Sequence, residues 1–182
     1  MNQKTKILCE AALMLSLALV LDFIRLFRLP NGGSVTISMV PLVLFAVRNG
    51  SIWGSMAGFV FGGINYMMGG TAIDWTTIFF DYFLAYSMLG FGAGLFCKRK
   101  LGCIWGSLCG GTLQFITSYL VGVFVWGKWM PDAFLGMTMS SPWIYSFLYN
   151  IIWAIPDITL ATVIFIVLYQ LRPMRRYLSP SN

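Results

Sequence analysis

Long apolar runs separated by short polar links organise this chain. Six of them are predicted as membrane-spanning helices, over residues 7–27, 36–48, 51–68, 76–97, 101–125 and 142–171. A helix needs roughly 20 apolar residues to cross a bilayer core of about 30 Å, and most of the runs approach that length. The second run is shorter, so we expect it to extend into the preceding link or to lie partly inside the bundle. The pattern predicts an all-α integral membrane protein, a six-transmembrane-helix bundle forming a single membrane domain over residues 1–182.

The charges between the runs predict the topology. With six spans, both termini and the links after the second and fourth spans lie on one side of the membrane. That side carries nine basic residues: Lys4, Lys6, Arg48, Lys98, Arg99, Lys100, Arg172, Arg175 and Arg176. The other side carries three: Arg25, Arg28 and Lys128. Because cytoplasmic loops hold the excess of Lys and Arg, both termini are predicted to be cytoplasmic (N-in, C-in).

The composition supports the membrane assignment and narrows the chemistry. The chain is 58% hydrophobic and 10% charged, whereas soluble domains average about 25% charged residues. It has no histidine, which is the commonest metal ligand and proton shuttle. The four cysteines lack CxxC spacing, and no nucleotide-binding motif, zinc-protease motif or basic stripe is present. We predict no enzymatic activity, no cofactor, no metal site and no nucleic-acid partner.

Residues 115–150 contain a group of polar and aromatic residues that suggests a binding pocket. Ser118, Gly122 and Trp126 recur every four residues, so they are predicted to share one helix face. Tyr145 and Asn150 lie on the first turns of the last span. We expect these two helix ends and the link between them to wall a pocket for an aromatic small molecule.

A carboxylate inside the fourth run adds a charge to this pocket. Asp81 lies about one and a half turns into the span and is followed by Tyr82. An ionisable group at that depth costs a few kcal/mol and usually faces the bundle interior. A carboxylate among aromatic rings suits a flat, cationic, nitrogen-containing ligand, with a cation–π contribution of about 1–2 kcal/mol. A structural carboxylate capped by hydroxyls or backbone amides is the alternative.

The candidate residues share one side of the membrane. Although helix direction alternates, they all fall in the outer halves of their predicted spans, which indicates an outward-facing site. An interfacial belt of aromatic residues accounts for Trp75, Trp129 and Trp143, but it does not account for Asp81 or Asn150.

Four short segments connect the chain with a known family. They are GGSVTISMVPL (32–42), DYFLAY (81–86), GVFVWG (122–127) and YSFLYN (145–150). Through the order and spacing of these segments, the chain resembles the substrate-binding S-components of energy-coupling factor (ECF) vitamin transporters. Among the S-components it resembles the thiamine-specific group. The resemblance implies a multi-pass protein of the bacterial plasma membrane that captures a vitamin from outside. It also implies docking on a module of one transmembrane coupling subunit and two ATPases.

The same resemblance implies which residues contact the ligand. They are Asp81, Tyr82, Gly122, Trp126, Tyr145 and Asn150. Ser118 stands where the thiamine group usually has a histidine, so a related ligand such as a thiamine precursor, or another vitamin, stays open.

Two other functions stay open besides the vitamin-binding subunit. One is a stand-alone secondary transporter that couples protons through Asp81 or Asp157. The other is a membrane scaffold without a ligand. The link at residues 25–38 is either a plug over the cavity or a plain connector.

Overall fold

The chain folds as a helical bundle with two short β-hairpins in its links. The computed structural model describes residues 2–29 and 33–171. The helices are α1 (Gln3–Phe23), α2 (Met39–Asn49), α3 (Ser51–Met67), α4 (Trp75–Thr77), α5 (Ala85–Gly94), α6 (Gly102–Phe124) and α7 (Pro142–Gln170). A π-helical segment (Ile78–Leu84) joins α4 to α5, and a 3-10 turn (Trp126–Trp129) follows α6. The strands are β1 (Phe27–Arg28), β2 (Ser34–Val35), β3 (Ala133–Phe134) and β4 (Met137–Thr138). Arg172, Arg175 and Arg176, which the topology prediction counts, lie outside the described residues.

The first link differs from its prediction at both ends. Helix α1 ends at Phe23 and α2 begins at Met39, whereas the predicted spans ran to 27 and from 36. Between them β1 and β2 pair in antiparallel fashion, with Phe27 opposite Val35. The apolar residues of a short hairpin extend the hydrophobic run of the sequence, so hydropathy alone placed the helix end too late.

The fourth predicted span is a composite of three helical segments, two of them α-helical and one π-helical. Asp74 caps α4, because its carboxylate accepts the Thr77 backbone N–H at 2.9 Å and the Thr77 hydroxyl at 2.7 Å. These bonds lower the pKa of Asp74, which lies in the link outside the spans. The π-helical segment follows, and such wider turns are rare and frequent at functional sites. It carries Asp81 and Tyr82.

Helix α3 packs directly against this composite helix through glycines. A Cβ atom at Gly58 would overlap the carbonyl oxygen of Tyr86, and one at Gly62 would overlap that of Tyr82. The four-residue spacing of Gly58 and Gly62, a GxxxG pattern, therefore allows close helix packing. This contact fixes the position of the π-helical segment relative to α3.

The core lies around α2, and α1 lies at the edge. Val43, Phe45 and Ala46 of α2 are at most 1% exposed, whereas the buried residues of α1 are Ala18 and Asp22. The short second helix is thus inside the bundle, as one of the two sequence-based alternatives proposed.

Two observations relate the bundle to a membrane. Within the described residues, α6 and α7 are each long and apolar enough to cross a bilayer. Arg48 at the end of α2 forms an ion pair with Glu10 near the start of α1, so these two helix ends lie together. Glu10 is therefore partnered by a cation of the protein.

Candidate functional site

One cavity brings together residues from α1, the first link, the π-helical segment, α6, α7 and the link after α3. All seven sequence-predicted site residues line it: Asp81, Tyr82, Ser118, Gly122, Trp126, Tyr145 and Asn150. The belt tryptophans differ. Trp75, Trp129 and Trp143 are between 48% and 85% exposed and do not line the cavity.

Asp81 and Trp126 form a hydrogen-bonded pair in the cavity wall. The Trp126 indole Nε1–H donates to Asp81 Oδ2 at 2.8 Å. Among the described residues no cation lies within salt-bridge distance of Asp81. Within residues 2–29 and 33–171 the other carboxylate oxygen has no protein donor, and the Trp126 ring lies beside the carboxylate.

The prediction that Ser118, Gly122 and Trp126 share one helix face is wrong for Trp126. Helix α6 ends at Phe124, and Trp126 begins the 3-10 turn that follows. The changed backbone path after the helix end turns Trp126 toward Asp81. Four-residue periodicity cannot place a side chain beyond a helix terminus.

Tyr82 uses its hydroxyl within the protein. The hydroxyl donates to the Thr71 carbonyl oxygen at 3.0 Å and accepts the Thr71 backbone N–H at 2.7 Å. Its ring packs edge-on against Tyr66, with ring centroids 5.2 Å apart. Tyr82 therefore presents its ring to the cavity and fixes the link after α3.

The first turns of α7 form a second wall of the cavity. In this wall the Asn150 amide uses its donors and its acceptor in hydrogen bonds within the protein. Asn150 donates from Nδ2 to the Ser146 carbonyl oxygen at 2.8 Å and to Ser146 Oγ at 3.2 Å. Its Oδ1 accepts the Trp153 Nε1–H at 3.2 Å. Ser146 in turn faces Gly122, where an added Cβ would overlap Ser146 Oγ. This close contact requires glycine at position 122 and joins α6 to α7 at the cavity.

Several residues outside the predicted seven-residue site also line the cavity. They are Asp22, Asn65, Gln114, Tyr149, Trp153 and Asp157. Asp22 is 6% exposed and accepts the Asn65 amide at 2.8 Å, with Arg25 Nη2 at 3.6 Å from its carboxylate. The signal that singled out Asp81, a carboxylate inside an apolar run, applies equally to Asp22.

The first link forms part of the cavity wall. The Gly33 N–H donates to the Tyr149 hydroxyl at 3.2 Å, and the Thr36 N–H donates to Asp157 Oδ1 at 2.8 Å. A Cβ at Gly33 would lie 2.7 Å from Trp153 Cδ1. The link is therefore attached to α7 along the cavity, which favours the plug over the plain connector.

The cavity has an excess of negative charge. Its charged lining residues are Asp22, Asp81, Asp157 and Arg25, and the arginine is paired with Asp22. Among the described residues no group of three or more Asp, Glu, Cys or His is arranged to hold a metal ion. Such a cavity suits an organic cation with aromatic rings.

Comparisons with known proteins agree on one family. The model of the thiamine transporter protein family matches residues 8–176. The thiamine transporter ThiT of Bacillus subtilis (strain 168) is 26% identical over 191 residues, covering 95% of this chain and 96% of that protein. ThiT of Lacticaseibacillus paracasei is 21% identical over 165 residues, covering 82% of this chain and 79% of its own. A solved structure of ThiT from Listeria monocytogenes has the same fold, with a TM-score of 0.82, 23% identity and coverage of 98% of this chain and 100% of that one.

Proposed function

The chain belongs to the thiamine transporter protein family, and we propose that it is the thiamine-binding membrane subunit of an ECF-type vitamin importer. The observation that carries this proposal is the Asp81–Trp126 pair. Thiamine contains a thiazolium ring, which is flat and positively charged. Asp81 supplies an uncompensated carboxylate and Trp126 an aromatic ring for such a cation.

The proposed binding site comprises the seven residues predicted from the sequence. In it Asp81 offsets the ligand charge, Trp126 and Tyr145 provide ring surfaces, and Ser118 provides a hydroxyl. Tyr82, Gly122 and Asn150 shape the walls, because their contacts within the protein are already made. The common position of these residues along one cavity supports the assignment.

The proposed topology has six spans with both termini in the cytoplasm of a bacterial cell. The nine-to-three distribution of basic residues in the sequence supports it. The pairing of Glu10 with Arg48 also supports it, since both residues then lie at the cytoplasmic surface. Under this topology the end of α6 and the start of α7, and with them Trp126 and Tyr145, face outward.

The proposed energy source is a partner module of one transmembrane coupling subunit and two ATPases. The sequence contains no Walker A motif, so a protein that concentrates its substrate must draw on a partner or on an ion gradient. A substrate-binding subunit that docks on ATPases meets this requirement.

The proposal is tested by identifying what the protein binds. The full-length chain is purified in detergent from cells grown with thiamine, and the bound small molecules are identified by mass spectrometry. We expect thiamine at close to one molecule per chain. A related vitamin or thiamine precursor at that occupancy overturns the choice of ligand, and no bound molecule together with no change in tryptophan fluorescence on adding thiamine favours a scaffold.

A proton-coupled secondary transporter that works through Asp81 or Asp157 is the second candidate, favoured by the position of both carboxylates at the cavity. The two candidates differ when the protein alone is reconstituted in liposomes. An imposed proton gradient drives thiamine uptake only in the second case, whereas the proposed subunit takes up thiamine only with its module and ATP.

A further inference from the structure

Gln114 is a buried amide in the cavity that has no hydrogen-bond partner among the described residues. Its side chain is 8% exposed and lines the cavity. It forms no hydrogen bond with any residue in the described part of the chain, and no side-chain nitrogen or oxygen there is both fully enclosed and unsatisfied. The amide atoms of Gln114 therefore reach the cavity space. A buried amide left unpaired is unfavourable, and a bound ligand that hydrogen-bonds to it removes this cost.

Of the α6 residues that line the cavity, Gln114 lies farthest from the C-terminal end of the helix, and we call this end of the cavity the floor. Gln114 shares a face of α6 with Ser118 and Gly122, which lie four and eight residues further toward the end of the helix. Eight residues correspond to about 12 Å of helix, the size of a molecule with two linked rings. Three residues before Gln114, Gly111 lies against the side chains of Ile158 and Met39, and it does not line the cavity.

The floor and the outer end offer different chemistry. The outer end has Asp81, an acceptor with a negative charge, beside Trp126. The floor has a neutral amide that donates and accepts in one plane. Asn150 cannot supply this edge, because its donors and its acceptor are used by Ser146 and Trp153.

We propose that Gln114 is the specificity-determining residue that reads the aminopyrimidine edge of the ligand, an inference that rests on the proposed thiamine-binding function. In thiamine the thiazolium is joined through a methylene to a 4-aminopyrimidine, whose ring nitrogen accepts and whose amino group donates. An amide pairs with such an edge through two parallel hydrogen bonds, as glutamine and asparagine do with adenine. With the thiazolium at Asp81, the aminopyrimidine reaches the floor.

The test measures the affinities of two ligands for the wild type and for variants of the full-length chain in detergent. The ligands are thiamine and 4-deaminothiamine, in which hydrogen replaces the amino group. The wild type is expected to prefer thiamine by about tenfold to a hundredfold, the range of one two-point hydrogen-bonded pair. Gln114→Met keeps the side-chain length and removes both polar atoms, so the preference is expected to fall below about threefold.

Controls separate this role from a structural one. Ser107→Ala removes a buried polar group of α6 that bonds to Thr162 at 2.9 Å, outside the cavity, and is expected to keep the wild-type preference. Gln114→Asn retracts the amide by one methylene and is expected to lower the preference even if the methionine variant does not fold.

The outcomes distinguish a failure of the role of Gln114 from a failure of the proposed function. The role of Gln114 is overturned if the wild type binds thiamine and the Gln114→Met variant keeps the same preference for it. Where the methionine variant does not fold, an unchanged preference in Gln114→Asn has the same meaning. Either result leaves the proposed function intact. A wild-type chain that binds neither ligand overturns the proposed function and with it the role of Gln114.

Discussion

Asp22 and Asp81 are two carboxylates on different walls of one cavity, and their partners differ. Asp22 on α1 has a guanidinium at 3.6 Å and an amide at 2.8 Å, from Arg25 and Asn65. Asp81 on the π-helical segment has an indole N–H at 2.8 Å and no cation among the described residues. The first charge is balanced by the protein itself. The second is left for a ligand to balance, so the same residue type has a structural role in one wall and a proposed binding role in the other.

The largest effect is expected at Asp81. Asp81→Asn removes the charge and keeps the shape of the side chain. Removing one partner of a buried ion pair costs about 3–5 kcal/mol, so the affinity for thiamine should fall by about a hundredfold or more. The measurement is a tryptophan-fluorescence titration of the purified protein. An unchanged affinity contradicts the pairing of Asp81 with the ligand charge.

Asp22→Asn is the matched control for this substitution. It neutralises a carboxylate of the same cavity that already has its own cation. We expect the affinity for thiamine to change by less than about threefold, with a lower thermal stability, because Arg25 then lacks its partner. An equal loss of affinity in the two variants would contradict the division between a structural and a ligand-binding carboxylate.

An intermediate effect is expected at Trp126. Trp126→Phe keeps an aromatic face and removes the N–H that orients Asp81. A hydrogen bond to a charged group contributes about 1.5–3 kcal/mol, so the affinity for a cationic ligand should fall by about tenfold or more. Trp129→Phe is the control, because Trp129 is 68% exposed and lies outside the cavity. Its affinity should equal that of the wild type, and an equal loss in both variants argues against the pair.

The smallest effect is expected at Asp74, a carboxylate outside the spans. The hydrogen bonds from Thr77 lower its pKa, so the capping contribution is present at neutral pH and is lost as the pH falls through the lowered value. We expect a small decrease in thermal stability on acidification below the usual pKa of 3.8. The decrease should be smaller in Asp74→Asn, which does not titrate. The affinity for thiamine, measured at neutral pH, should be the same in both proteins.

The sequence contained much of the site because charged and amide side chains are rare inside apolar runs. Asp81 and Asn150 were found for that reason. Gln114 and Asp157 also interrupt apolar runs. Nothing in a single sequence shows, however, that the Asn150 amide forms all its hydrogen bonds within the protein and the Gln114 amide does not. That difference depends on Ser146 and Trp153, which lie on the same helix as Asn150 and form their hydrogen bonds with it.

The helices were predicted more accurately than the links. Hydropathy detects apolar length, so it located α3 and α6 to within about two residues of their ends. It does not detect hydrogen-bond patterns. The hairpin of the first link and the π-helical segment at Asp81 were therefore outside its reach, although both contribute to the cavity.

The attachment of the first link to α7 has a consequence for how this segment tolerates mutation. The bond to Asp157 comes from the backbone of Thr36, and every residue except proline supplies the same N–H. Side chains at this position can therefore vary during evolution without loss of the attachment. Gly33 has no such freedom, since any larger residue would meet the Trp153 ring. We expect natural variants of the link to lack proline at position 36 and to keep glycine at position 33.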